Sequence, residues 1–356
     1  MKVTVDSVRA VLAAAMALGA SDVHISPAHQ PVFRLAGQLR VATDFEPLSA
    51  KQIRALIEQL QVQACVAEHS AIADEVQGQS HWILAYADLG VRVRITAYST
   101  MSGSALALRL LSSQPPKPDE ILMPEFLRLL SPFASGLVLV TGPTGSGKST
   151  TLASWIERCS TQFASHIVTI EDPIEYIFTH GKGLVHQCEL GTHFAGYHDA
   201  LTDILRRDPD VLMLGELRDQ ASVELALRAA ETGHLVLGTL HSANAVDAIS
   251  RMVDIFPAQS RGFIRHMLST VLLGVVSQRL LPSNHASAKQ GRVANYEVLA
   301  TTTAVKHLIS EQKEVQLQAV MQTGAVHKMF TFEQNYQDLL GSGWISGQLD
   351  TRQGVL

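Results

Sequence analysis

Cysteine is scarce and scattered in this chain. Its 356 residues include three, Cys65, Cys159 and Cys188, with no Cys-x-x-Cys pair. That argues against a disulfide framework or a four-cysteine zinc site and suits a reducing compartment. An excess of basic charge is missing too. The formal charge is −5, so nothing global draws the chain to nucleic acid or to an acidic membrane surface. Aromatic residues make up only 6%, which gives no support to a stacking platform for single-stranded nucleic acid. Long apolar runs are absent as well. No stretch reaches the roughly 18 residues of a bilayer-spanning helix, and even Phe263–Val276 is broken by Arg265 and His266. The run Val11–Ala20 superficially resembles a secretory leader, but Asp6 and Arg9 interrupt its approach. Val8, Val11, Leu12, Ala15 and Met16 share one helical face, so an amphipathic first helix is expected instead. There is no low-complexity tract and no internal repeat.

What is present divides into two domains. A chain of 356 residues exceeds one ordinary core, and 46% hydrophobic with 17% charged residues is a globular composition. After the first helix, Asp22–Ile25, Pro31–Leu35 and Leu39–Val41 read as short strands. Helical periodicity returns over 50–62 through Ile53, Leu56, Ile57 and Leu60. Trp82–Tyr86, Val91–Thr96 and Ala105–Leu111 are again strand-like. This order predicts a small α+β domain over residues 1–112. Residues 113–120 form a linker in which Pro115, Pro116 and Pro118 resist both helix and sheet. From 121 to 356, apolar runs at 136–141, 166–171, 210–215 and 234–240 alternate with helical patterns at 149–158, 196–206 and 219–231. Such alternation predicts a mainly parallel sheet flanked by helices. Residues 302–341 read as a helical tail.

The sharpest chemical signal is Gly142-Pro143-Thr144-Gly145-Ser146-Gly147-Lys148-Ser149, a complete phosphate-binding loop, with Thr150 following it. It lies between the strand-like Gly136–Thr141 and a helical Thr150–Arg158, the context that the motif requires. Glycines let backbone N–H groups turn inward and cradle phosphates at a helix N-terminus. Lys148 is expected to reach the β- and γ-phosphates and the Ser149 hydroxyl to bind Mg²⁺.

Acidic groups extend this reading. Val211-Leu212-Met213-Leu214-Gly215-Glu216 is an apolar strand ending in a carboxylate, suited to holding Mg²⁺ or its water shell beside Ser149. Glu171, Asp172 and Glu175 follow the strand His166–Ile170, where open α/β sheets bind ligands. One of the three is expected to orient and deprotonate an attacking water, and spacing does not choose among them. His234 and His241 flank one strand, placed either at opposite ends of the sheet or bent back toward the γ-phosphate. His180, His186, His193 and His198 lack a compact metal-ligand pattern. Alternation over 91–96 sets Val91, Val93 and Ile95 on one face and Arg92 and Arg94 on the other, with Arg109 on a neighbouring strand. The pattern by itself favours a solvated basic face.

Four segments also carry a resemblance. Gly142–Thr151, Thr169–Glu175, Arg206–Asp219 and Ala229–His241 resemble the Walker A, Asp, Walker B and His boxes of the type II/IV secretion ATPase superfamily. They are most similar to those of PilT-like type IV pilus retraction ATPases. Gly19–His24 and Gln322–Gly324 extend the resemblance over essentially the whole chain. It implies an α/β architecture: a RecA-like P-loop NTPase domain with a smaller PAS-like α+β N-terminal domain, assembled as a homo-hexameric ring. It further implies that Glu175 activates water, that Glu216 is the Walker B residue and that His234 and His241 are the His-box pair. Arg94 and Arg109 are implied to reach a neighbouring subunit's nucleotide, overturning the solvated-face reading. Two departures stand out. Ala304-Val305-Lys306-His307-Leu308-Ile309 replaces the family's Ala-Ile-Arg-Asn-Leu-Ile motif, and Thr202 stands where relatives usually carry arginine. The missing four-cysteine zinc site argues against the pilus-extension branch.

The function expected is therefore Mg²⁺-dependent ATP hydrolysis coupled to pilus retraction, in machinery of the twitching-motility and DNA-uptake type. The expected location is cytoplasmic and peripheral to the inner membrane. A pilus platform protein would be the mechanical partner and a paralogous ATPase a further one, with no nucleic acid and no direct membrane insertion. A secretion or conjugation ATPase shares every box and is the alternative. A RecA-like nucleic-acid translocase and a regulatory module that binds ATP without turnover are the readings of other classes.

Overall fold

The computed structural model describes residues 5–35, 37–66, 73–76, 79–112, 114–178, 180–194, 196, 200, 203–288 and 291–346. The chain divides into two compact units, Met1–Gln114 and Pro115–Leu356.

The first unit is an antiparallel sheet with two helices on one face. Its strands are β1 (Asp22–Ile25), β2 (Val32–Leu35), β3 (Gln38–Val41), β4 (Ala73–Val76), β5 (Gln79–Tyr86), β6 (Val91–Thr100) and β7 (Gly103–Ser112). They lie in the order β3-β2-β1-β7-β6-β5-β4. Helices α1 (Val5–Ala17) and α2 (Ala50–Val66) supply Val8, Leu12, Ile53, Leu56 and Leu60 to a core shared with Val23, Val93, Ile95, Leu106 and Leu108. Strict alternation along β6 buries Val91, Val93, Ile95 and Ala97 and leaves the arginines between them on the uncovered face. Each fully buried Leu or Ile here contributes about 1.5–3 kcal/mol, so packing of the apolar stripe holds these helices in place. Strand β4 has no alternating pattern and forms through its pairing with β5.

The second unit is a seven-stranded sheet in the order β10-β9-β11-β12-β8-β13-β14. Its strands are β8 (Gly136–Thr141), β9 (His166–Glu171), β10 (Leu184–Glu189), β11 (Val211–Leu214), β12 (Leu235–Leu240), β13 (Leu272–Pro282) and β14 (Arg292–Ala300). All pairings are parallel except that of β13 with β14. Strands β8, β11 and β12 are buried throughout, as a parallel sheet covered on both faces requires. On one face, the short α3 (Glu125–Leu129) contributes Leu127, and α4 (Lys148–Gln162) packs Leu152, Trp155 and Ile156 against Val138, Val140 and Leu237. On the other, α5 (Gln220–Glu231), α6 (Ala245–Asp254) and α7 (Arg261–Val271) cover Leu137, Leu139, Leu212 and Val236.

The expected tail comprises α8 (Thr303–Ser310), α9 (Leu317–Thr323) and α10 (Phe332–Gly341). In α8, Val305 and Ile309 are fully buried while Lys306 and His307 are exposed. Lys306 Nζ donates to Thr270 O at 3.4 Å, and Arg265 Nη1 donates to Ile309 O at 3.3 Å. The proline-rich stretch is not uniformly extended over its described residues 114–120. Pro118–Ile121 forms a 3-10 turn, held by Arg128 donating to Pro118 O and Met123 O, and by Tyr296 donating to Ile121 O. Of the helix expected over 196–206, Ala200, Asp203 and Ile204 are helical and lead into the 3-10 turn Leu205–Arg207; Thr202 and His198 lie outside the described residues.

Candidate nucleotide site

Six parallel strands end at one edge of the second unit's sheet, and that edge gathers most of the candidate residues. Strand β8 runs into the loop 142–147, and α4 begins at Lys148. Gly147 has φ +90° and receives no side-chain cap, so the first-turn N–H groups of α4 are left for a ligand. Lys148 is 8% exposed, and its Nζ donates to Gly142 O at 2.8 Å and Pro143 O at 3.1 Å. Burial depresses the Lys148 pKa, and the nearby carboxylates of Glu216 and Glu175 push the other way. Those two acids are therefore within electrostatic reach of the loop lysine. Ser146 Oγ is buried without a hydrogen-bond partner, and Pro143, Thr144, Gly145 and Ser149 are exposed. An orphaned hydroxyl inside a cradle of N–H groups fits a polyphosphate. Thr150 Oγ1 instead pairs with Tyr176 OH at 3.0 Å.

The three carboxylates at the end of β9 and just beyond it have different environments. Glu171 is buried; Thr169 Oγ1 donates to it at 2.7 Å, Gln187 Nε2 at 3.1 Å, and the Glu175 backbone N–H also donates. Burial pushes its pKa up to about 7 despite those bonds, and the Glu175 charge adds to the rise. Asp172 is exposed, 3.9 Å from Arg218. Glu175 is half-buried, and its charge raises the Lys148 pKa. Strand β10 fixes the loop between them: Gln187 Nε2 also donates to Tyr176 O at 2.8 Å, and Glu189 accepts from Ile174 N at 3.0 Å. Sequence reasoning missed this support because Leu184–Glu189 has no clear apolar run.

Glu216 follows β11, where Gly215 N donates to Ile170 O and Leu217 N to Thr239 O. Its Oε2 accepts from Arg218 Nε at 2.6 Å, and its Oε1 stands 3.2 Å from His241 Nε2. Arg218 lay inside the Walker B segment with no role assigned to it. Arg251 Nη1 holds the His241 carbonyl at 2.8 Å. His234 is not brought to this edge. It precedes Leu235 at the start of β12, where its Nδ1 meets Ala229 O at 3.0 Å, whereas His241 follows the strand's last residue. Six strand residues put the two histidines roughly 20 Å apart, so opposite ends of the sheet is the arrangement found.

Arg94 and Arg109 belong to the first unit. They are directly paired across β6 and β7, on the face that α1 and α2 leave uncovered. The row continues through Asp22 on β1 to Arg34 on β2. Arg109 Nε donates to Asp22 Oδ1 at 2.9 Å. Among the described residues, no group of three or more His, Cys, Asp or Glu side chains is placed to hold a metal. His186 pairs instead with His166, Nδ1 to Nε2 at 2.9 Å.

Comparison with known proteins places these features. A family model for the type II/IV secretion system protein family matches residues 2–337. The Pseudomonas aeruginosa type IV pilus retraction ATPase PilT is 38% identical over 333 residues, 92% of each chain. The uncharacterized Escherichia coli protein YggR is 40% identical over 323 residues, 91% of this chain and 95% of that one. A crystal structure of the pilus retraction motor PilT with bound ADP superposes with a TM-score of 0.77 at 38% identity. It covers 95% of this chain and 94% of its own.

Proposed function

Because the chain belongs to the type II/IV secretion system protein family, we infer that it is a motor ATPase driving type IV pilus retraction. The observation that carries this reading is the gathering of Lys148 after β8, Glu175 after β9 and Glu216 after β11 at one sheet edge. Lys148 and the backbone of Gly142–Ser149 bind the triphosphate. Glu175 takes a proton from the water that attacks the γ-phosphorus, and the bond to the β–γ bridging oxygen breaks to release ADP. Glu171 is too enclosed for that task, and Asp172 is turned to Arg218. Ser149 and Glu216 would hold Mg²⁺, which neutralises charge on the phosphates when bound. His241 and Arg218 orient Glu216.

Arg94 and Arg109 of one copy complete the site of its neighbour in a homo-hexameric ring, adding cations where charge develops on the transferred phosphoryl group. Their cross-strand pairing on an uncovered sheet face supports this. Among the described residues no helix is long and apolar enough to cross a membrane. On this reading the protein acts from the cytoplasmic side on an inner-membrane platform protein, with a paralogous ATPase as a further partner. A secretion ATPase is the second reading, favoured by the exposed Lys306 and His307 of α8. The test is phosphate release from MgATP by the assembled chain, followed by pilus retraction in a deletion strain. No phosphate release rejects the enzyme; normal retraction rejects the biological role alone.

A further inference from the structure

Strand β13 lies beside β8 with Ser277 opposite Thr141, their hydroxyls 3.0 Å apart. The next residue, Gln278, is 132 positions from the phosphate loop in sequence, yet its Nε2 donates to Ser146 O at 2.7 Å. Its Oε1 accepts from Thr151 Oγ1, in the first turn of α4, at 2.8 Å. The side chain is 2% exposed, so water does not compete for either bond. Two loop glycines make room for this residue. A Cβ on Gly142 would fall 2.3 Å from Gln278 O, and one on Gly147 2.7 Å from Gln278 Nε2.

A trans peptide unit is planar, with its C=O and N–H pointing in opposite directions. Fixing Ser146 O against Gln278 therefore aims the Gly147 N–H away from β13, into the concavity of the loop. We propose that Gln278 is a positioning residue for triphosphate binding: its amide, braced by Thr151, holds the Ser146–Gly147 peptide in the orientation that donates to phosphate. This rests on the ATPase reading of the loop. Gln278 is buried and acts through the loop backbone, so its loss should weaken ground state and transition state alike, raising KM more than it lowers kcat.

The test uses the full chain, with titration of a fluorescent ADP analogue beside steady-state MgATP kinetics and melting of the ligand-free protein. Gln278→Met keeps the volume and removes both bonds. We expect its Kd for the ADP analogue and its KM to rise about tenfold, with kcat within about twofold. Thr151→Val releases the brace, together with the 3.5 Å contact of Thr151 Oγ1 with Tyr296 OH, and should raise both about threefold; the double variant should be no worse than Gln278→Met, because both act on one clamp. A purely structural role would lower the melting temperature and the maximal rate with KM unchanged, and that result overturns the proposal. So does an unchanged Kd. If Gln278→Met fails to fold, an unchanged Kd in Thr151→Val decides against it. Wild-type protein that binds the analogue but releases no phosphate would reject the ATPase reading and leave the Kd comparison standing.

Discussion

His241 and Glu216 meet from neighbouring parallel strands, Nε2 to Oε1 at 3.2 Å, while Arg218 occupies the other carboxylate oxygen. The acid is thus oriented by two side chains before any ligand arrives. Glu216→Gln preserves shape and removes charge; we expect kcat to fall about 10²-fold or more, with nucleotide affinity within about threefold. His241→Ala should give a smaller loss, about tenfold, since Arg218 remains. Equal losses in the two variants would contradict an orienting role for His241.

Glu175→Gln should reduce phosphate release by at least about 10²-fold while leaving ADP binding within about twofold. Single-turnover quench and equilibrium titration separate the two effects. Turnover within about tenfold of wild type would remove Glu175 as the base and return attention to Asp172.

Glu171 makes stability depend on pH. Its pKa is about 7 folded against an ordinary 4.5. The folded chain therefore holds this proton more tightly than the unfolded one. The stabilisation is complete below pH about 4.5 and is lost as pH rises through about 7, roughly 3 kcal/mol in all. Glu171→Gln does not titrate. In urea unfolding, wild type should lose about 2–3 kcal/mol relative to Glu171→Gln between pH 5 and pH 8. A constant difference would show that Glu171 is charged throughout.

Arg94→Ala should lower kcat about 10³-fold without lowering the melting temperature. Arg109→Ala should do the same and also release Asp22 from its partner. Mixing Arg94→Ala subunits with Glu175→Gln subunits distinguishes the two possible origins of the cation. If the arginine comes from a neighbour, some interfaces in mixed rings hold both intact groups and phosphate release returns. Silent mixtures would place the arginine in its own subunit.

The phosphate loop was legible because glycine spacing is a local signal, and the buried strands beside it because both their faces are apolar. Strand β13 was not, because Val271 ends α7 and Leu272 begins the strand with no glycine or proline between them. The period changes without punctuation, so Phe263–Val276 reads as one interrupted run. The choice among Glu171, Asp172 and Glu175 was illegible for a different reason. It depends on Gln187 and on the pairing of β10 with β9, which no spacing within the acidic segment encodes. The histidine pair was half legible: flanking a single strand allowed two arrangements, and the straight run of β12 selected one. Gln278 left no trace, since its partners lie in a loop distant in sequence.

Helix α8 divides its six-letter motif by direction. Val305 and Ile309 seat the helix in the core, while Lys306 and His307 look outward. Of the three letters that depart from the family's motif, the buried Val305 keeps the seat apolar, and Lys306 and His307 rewrite the surface it presents.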